Sequence, residues 1–122
     1  MIRLDPTPYI PDVTRRRLDA VRWQLPLFTA LVHGPSMVPT LRSGDALIVR
    51  RGGRVRSGDV VVAEFRSRPG LLVVKRAAEP RDGGWWLIGD NEFVTDDSRA
   101  HGVADVIGRV IFRYYPRPFR VG

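Results

Sequence analysis

The chain has 122 residues, enough for one compact domain and too few for two of ordinary size. At 43% hydrophobic and 27% charged residues it is a folded domain rather than a disordered chain, and 12 glycines with 10 prolines predict strands and tight turns over long helices. The net charge of +7 makes an anionic partner such as nucleic acid or lipid headgroups a question to ask. No basic run interleaved with aromatics and no helix-turn-helix pattern supports base reading, no cysteine is present for disulfide or thiolate chemistry, and His33 and His101 stand too far apart to suggest a metal site.

Taken in chain order, residues 1–30 read as an arm. Three prolines break its first eleven positions, and Thr14 then starts a possible short helix, with Leu18, Val21 and Leu25 on one face and arginines on the other. Such a helix covers the core or lies on a membrane surface. The apolar run "WQLPLFTALV", residues 23–32, is interrupted by Gln24 and Pro26 and falls well short of the roughly twenty residues that span a bilayer. It also lacks a cleavage region, so it is no secretory signal.

Next comes "HGPSMVPTL", residues 33–41, a serine and a methionine set between two prolines. Two similar phrases follow, "RSGDALIVRR" from Arg42 and "RSGDVVVAEF" from Arg56, each a turn signal leading into a run of strand length. "GLLVVKRAAE", "GGWWLIGD" and "VADVIGRVIFRYY" supply three further strands, with "RDGG" as the hairpin loop between the first two of them. The expected fold is mainly β: a single compact domain of short strands in folded sheets or a partial barrel, with at most one short N-terminal helix. Its body runs over residues 31–115, between the arm and a C-terminal tail at 116–122.

Three places carry candidate chemistry. Ser36 beside proline is ordinary turn chemistry unless a base lies near it. Lys75 ends "LLVVK", an apolar run without alternation that reads as a strand buried on both faces. Burial disfavours the ammonium, so a lysine held inside can accept a proton near neutral pH, whereas a strand-end lysine usually extends into water. A desolvated lysine is one of the few alternatives to histidine for activating a serine. The segment "GDNEFVTDDSR", residues 89–99, is turn-rich and can form a local network among Asp90, Asn91, Thr95, Asp96, Asp97, Ser98 and Arg99. It lacks the spacing of a calcium loop.

Together and in this order, "GPSMVPTL", "VVKRA" and "GDNEFVTDDSR" resemble the three signature boxes of the signal peptidase I family of serine proteases, over residues 32–110. The self-cleaving repressor proteases share the Gly-x-Ser-Met and lysine elements. The resemblance implies the signal peptidase and repressor-protease catalytic fold, with Ser36 as nucleophile and Lys75 as general base. It places Thr95 where a hydroxyl orients the lysine, and Asp97 and Arg99 at a structural ion pair. Gly89, Asp90 and Asn91 then shape the region behind the dyad, while Met37 and Pro39 position the nucleophile's turn.

Two positions depart from the pattern. A serine that some members carry two residues before the nucleophile is Gly34 here, and Pro35 has no N–H. The oxyanion hole is then left to the Ser36 N–H and a second donor, for which the Gly34 backbone is the candidate. A spanning helix before the serine box is also missing, which makes the chain look like the small proteases that mature nickel superoxide dismutase.

The implied activity is a serine endopeptidase that needs no metal or cofactor and removes an N-terminal extension from a precursor bound as an extended strand. The dismutase proenzyme is the expected substrate and the cytoplasm the expected place, with the membrane surface as a possible contact. The alternatives are a signal peptidase acting on exported preproteins and a non-catalytic regulatory module binding DNA or lipid through its basic surface.

Overall fold

The computed structural model describes residues 2–4 and 26–121. The expected helix after Thr14 lies outside the described residues. Within them the elements run β1 (Ile2–Leu4), β2 (Leu27–Val32), β3 (Ala46–Arg51), β4 (Val60–Phe65), β5 (Leu72–Arg81), β6 (Gly84–Ile88), the single helical turn α1 (Ser98–His101), β7 (Ala104–Tyr115) and β8 (Phe119–Arg120). The strands form one antiparallel sheet in the order β1-β2-β3-β7-β4-β5-β6, with β8 against β7. This is the mainly β domain that the composition implies.

The twin phrases fold into twin turns. In each, an Asp side chain accepts from the backbone N–H three residues back, Asp45 from Arg42 at 2.9 Å and Asp59 from Arg56 at 2.8 Å. The intervening glycines, Gly44 and Gly58, sit at φ of 94° and 97°, where a side chain would be strained. β-branched runs then continue as strands, because such side chains pack well on a pleated surface.

β7 organises the rest. Its first half pairs with β4 and its second half with β3, and Trp85 of β6 pairs with Ala104 at its start. The circuit β7-β4-β5-β6 therefore closes into a small barrel, and the sheet buries two apolar clusters. One gathers Phe28, Leu41, Leu47, Val49, Val62, Val74 and Val110. The other, within the barrel, gathers Val61, Phe65, Val73, Ala77 and Leu87. β5 serves both, with Val74 facing the first and Val73 and Ala77 the second, as expected of a strand buried on both faces.

Three features differ from the sequence reading. Residues 27–32, weighed there only as a membrane candidate, form β2, so the boundary at residue 31 falls inside a strand. Phe28, Ala30 and Val32 point inward, but of the outward Leu27, Thr29 and Leu31 two are also apolar, which hides the period of two. Residues 119–120 of the tail return as β8 along β7. Lys75 stands in the middle of a ten-residue strand rather than at its end. No helix among the described residues is long and apolar enough to cross a membrane.

Candidate active site

The serine turn is built from the β2 end inward. The Val38 N–H donates to the Pro35 carbonyl at 3.1 Å and the Leu41 N–H to that of Met37 at 2.9 Å. Met37 and Leu41 are fully buried, so the turn is nailed to the core by two apolar side chains while Ser36, just before them, remains 7% exposed. Met37 thus packs rather than reacts. The Gly34 N–H donates over 3.4 Å to the Ser43 hydroxyl, so a substrate oxygen arriving there competes with Ser43.

The segment after β6 is fastened to that turn from behind. The Asn91 N–H donates to the Ser36 carbonyl at 2.9 Å and its side-chain amide to the Pro35 carbonyl at 3.0 Å. Gly89 lies so close that a Cβ there would stand 2.8 Å from the Ser36 carbonyl oxygen. Only a residue without a side chain permits that approach.

Two carboxylates hold this arrangement. Asp97, with no exposed surface, accepts from the Gly89 N–H at 2.9 Å, caps α1 through the Arg99 N–H, and takes the Arg99 guanidinium on both oxygens at 3.0 and 2.8 Å. Burial alone would push its carboxyl up, but the Arg99 side chain and the two backbone donors together bring it below the usual carboxylate range. Asp90 is bound by Arg76 on both oxygens, at 2.9 and 2.6 Å, and by the Thr40 hydroxyl at 2.5 Å. Burial again opposes its ionisation, and Arg76 and Thr40 again outweigh it. Asp90 therefore ties β5 to the serine turn, and Asp97 ties Gly89 to α1.

Lys75 lies on β5 beside Arg76. Arg76 pairs with Ile88, the last residue of β6, and Gly89, which packs on Ser36, follows it directly. The Lys75 side chain is 2% exposed and lies on the face of Val73 and Ala77. Burial pulls its amine below the usual lysine range, and the charges of Asp96 and Asp97 offset only part of that. Lys75 is also the one lysine among twenty cationic residues, a signal that composition held and that spacing did not use.

Thr95 is exposed in the stretch leading to α1. Asp96 beside it contacts the His101 ring, which together with that ring's charge holds its carboxyl low. Arg76 and Thr40 carry structural roles that sequence reasoning missed, while Ser98, expected in a network local to 89–99, reaches back to β6, its hydroxyl accepting from the Leu87 N–H at 2.7 Å. Arg76 was legible only as the neighbour of Lys75, since its partner lies fourteen residues on. Among the described residues, no group of three or more acidic or histidine side chains is placed to hold a metal ion.

Residues 13–111 match a family model described as peptidase S24-like. The chain belongs to the peptidase S24-like family. It is also 30% identical to mitochondrial ATP-independent inner membrane protease subunit 1a of Arabidopsis thaliana over 118 residues, covering 72% of this chain and 70% of that protein. The same identity, over 113 residues and with 70% and 68% covered, relates this S24-like chain to mitochondrial inner membrane protease subunit 1 of Xenopus tropicalis. A peptidase domain with signal-peptidase-like relatives is thus established for this fold. The described site occupies the matched region throughout.

Proposed function

We propose that this peptidase is a serine endopeptidase in which Ser36 attacks a peptide carbonyl while neutral Lys75 takes its proton. What supports this is a buried lysine whose amine burial pulls below the usual range, on the strand that pairs with β6, and a largely buried Ser36 whose carbonyl packs against Gly89 just past the end of β6. The Ser36 Oγ forms a bond to the carbonyl carbon as its proton passes to the Lys75 Nζ. The ammonium then protonates the departing amine as the C–N bond breaks, leaving an acyl-serine and a neutral lysine that activates water for the second half. The Ser36 N–H donates to the developing oxyanion, with the Gly34 N–H as second donor once Ser43 is displaced. Thr95, exposed before α1, carries the hydroxyl to which the resemblance assigns the orienting of the lysine, and Asp97 with Arg99 and Asp90 with Asn91 hold the turn in place. No metal or cofactor enters this chemistry.

The substrate is a precursor protein bound as an extended strand, because main-chain pairing fixes the scissile bond for attack. The likeness to the small maturation proteases favours the nickel superoxide dismutase proenzyme as that precursor, processed in the cytoplasm. The inner membrane protease names of the relatives favour an exported preprotein instead. Incubating purified enzyme with each precursor and sequencing the product's amino terminus separates the two. Ser36→Ala and Lys75→Ala are expected to lower the rate by at least about a thousandfold. Cleavage at the wild-type rate by either variant overturns the dyad.

A further inference from the structure

Two groups of arginines stand apart among the described residues. Arg66, Arg76, Arg81, Arg99 and Arg113 each meet a carboxylate, on Asp105, Asp90, Glu79, Asp97 and Asp45 respectively. Arg50, Arg54, Arg56 and Arg109 form no ion pair among the described residues, yet these four line one open cavity of about 310 Å³ together with Gly52 and Gly53. No acidic side chain lines it. The carboxylates of the neighbouring loops are engaged elsewhere: Asp105 holds Arg66, and Asp59 closes its own turn on the Arg56 backbone N–H.

The backbone makes the convergence unfavourable without a ligand. Arg50 of β3 is the direct cross-strand partner of Arg109 of β7, and like charges placed opposite one another on a sheet face destabilise the pair. Strands tolerate such a pair when something else repays it. We propose that this cavity is a binding site for a phosphate-bearing anion, a diphosphate or a phospholipid headgroup. Arginine's planar fork meets phosphate oxygens through two parallel hydrogen bonds. Four forks around a concavity of this volume exceed what one carboxylate requires. Its concave shape favours a discrete phosphate group over an extended nucleic-acid track, which needs a continuous basic groove.

The cavity is separate from the serine turn. β3 enters beside that turn at Ala46 and reaches Arg50 four residues later, about 13 Å along the strand. The inference therefore stands whether or not Ser36 is the nucleophile.

The test measures sodium pyrophosphate binding to the full chain by titration calorimetry. In parallel, it measures co-sedimentation with phosphatidylcholine vesicles with and without phosphatidylglycerol. Pyrophosphate binding without vesicle binding assigns a soluble diphosphate. Binding to the anionic vesicles that pyrophosphate competes away assigns a headgroup. In either case the double variant Arg54→Ser/Arg56→Ser is expected to weaken binding about tenfold or more. The double variant Arg68→Ser/Arg117→Ser, which removes the same charge from exposed positions elsewhere, is expected to change it less than about twofold. Thermal melts confirm that both are folded. Absence of binding in both arms, or equal weakening by the two variants, overturns the site. So does tight binding of a duplex oligonucleotide that neither variant alters, since it shows general basic attraction instead.

Discussion

Behind Ser36, Arg76 and Arg99 are each matched by a carboxylate; among the described residues, none of the four arginines that line the cavity beside β3 and β7 is. Arg76 and Arg99 are fixed on Asp90 and Asp97, and those carboxylates in turn grip Thr40 and the Gly89 N–H. The charges there are spent inside the protein, holding three loops in register behind one hydroxyl. Arg50, Arg54, Arg56 and Arg109 have no such internal partner among the described residues. The net charge of +7 is thus not an even coat. Paired arginines build the site, and unpaired ones leave a local excess of positive potential away from it.

The strongest way to break the first half of that contrast is Asp97→Ala. It strands the buried Gly89 N–H, a loss of about 1–3 kcal/mol, and uncaps α1, about 1 kcal/mol more. An expected destabilisation of about 3 kcal/mol is read from urea unfolding. Asp97→Asn, which keeps an acceptor oxygen, is expected to lose less. The folded-state pKa of Asp97 lies below its unfolded value, so its stabilisation is complete above the unfolded value and lost as pH falls through the folded one. The acid limb of a stability profile should flatten in Asp97→Ala; an unchanged limb refutes its role there.

Gly89→Ala comes next. A methyl placed 2.8 Å from the Ser36 carbonyl oxygen must push the turn or the strand away, and overpacking of this kind costs about 1–3 kcal/mol. Because the displaced atom belongs to the proposed nucleophile's own residue, activity should fall further than stability does. Equal activity at full folding would show that Ser36 need not be held against Gly89.

Lys75→Met is expected to act in the opposite direction, raising stability by about 1 kcal/mol while abolishing cleavage. The folded-state amine has a lowered pKa, so the folded protein binds fewer protons than the unfolded one. Wild-type stability therefore rises with pH from the lowered value up to the usual lysine range. Methionine removes that rise. Proteolytic rate should climb with pH as the ammonium of Lys75 loses its proton, and one lysine in the chain makes its titration assignable by NMR. A titration in the usual lysine range contradicts the burial argument.

Much of this was readable in advance, and the reasons are local. The twin Ser-Gly-Asp turns and the "RDGG" hairpin declare themselves because their chemistry lies within four residues. "LLVVK" declares a two-sided burial because nothing polar interrupts it. β2 was missed because two of its three outward positions, Leu27 and Leu31, are also apolar, and β8 because two residues carry no period at all. Within the candidate site, Ser36, Lys75 and the 89–99 segment are legible as motifs. The bonds that unite them, Thr40 and Arg76 on Asp90 and Asn91 on the Ser36 carbonyl, span fourteen to fifty-five positions and exist only once β5, β6 and the serine turn are packed. The arginine cavity is illegible for the same reason, since Arg50 and Arg109 become neighbours only through strand pairing.

The smallest expected effect belongs to that cavity, and it sharpens the contrast most. Arg54→Ser/Arg56→Ser removes two exposed charges that have no carboxylate partner among the described residues and two like-charged neighbours. No ion pair is lost, so stability should not fall; relief of repulsion should raise it by a few tenths of a kcal/mol at low salt. Added salt screens the same repulsion in the wild type, so the difference between the two proteins should shrink as sodium chloride is raised. Arg99→Ser, taken from the paired population, should destabilise under the same conditions because it leaves Asp97 buried with two backbone donors alone. Opposite signs from two arginine losses in one protein would mark which charges the fold uses. A destabilised cavity variant would mean that those arginines have internal partners, and the division between the two populations would collapse.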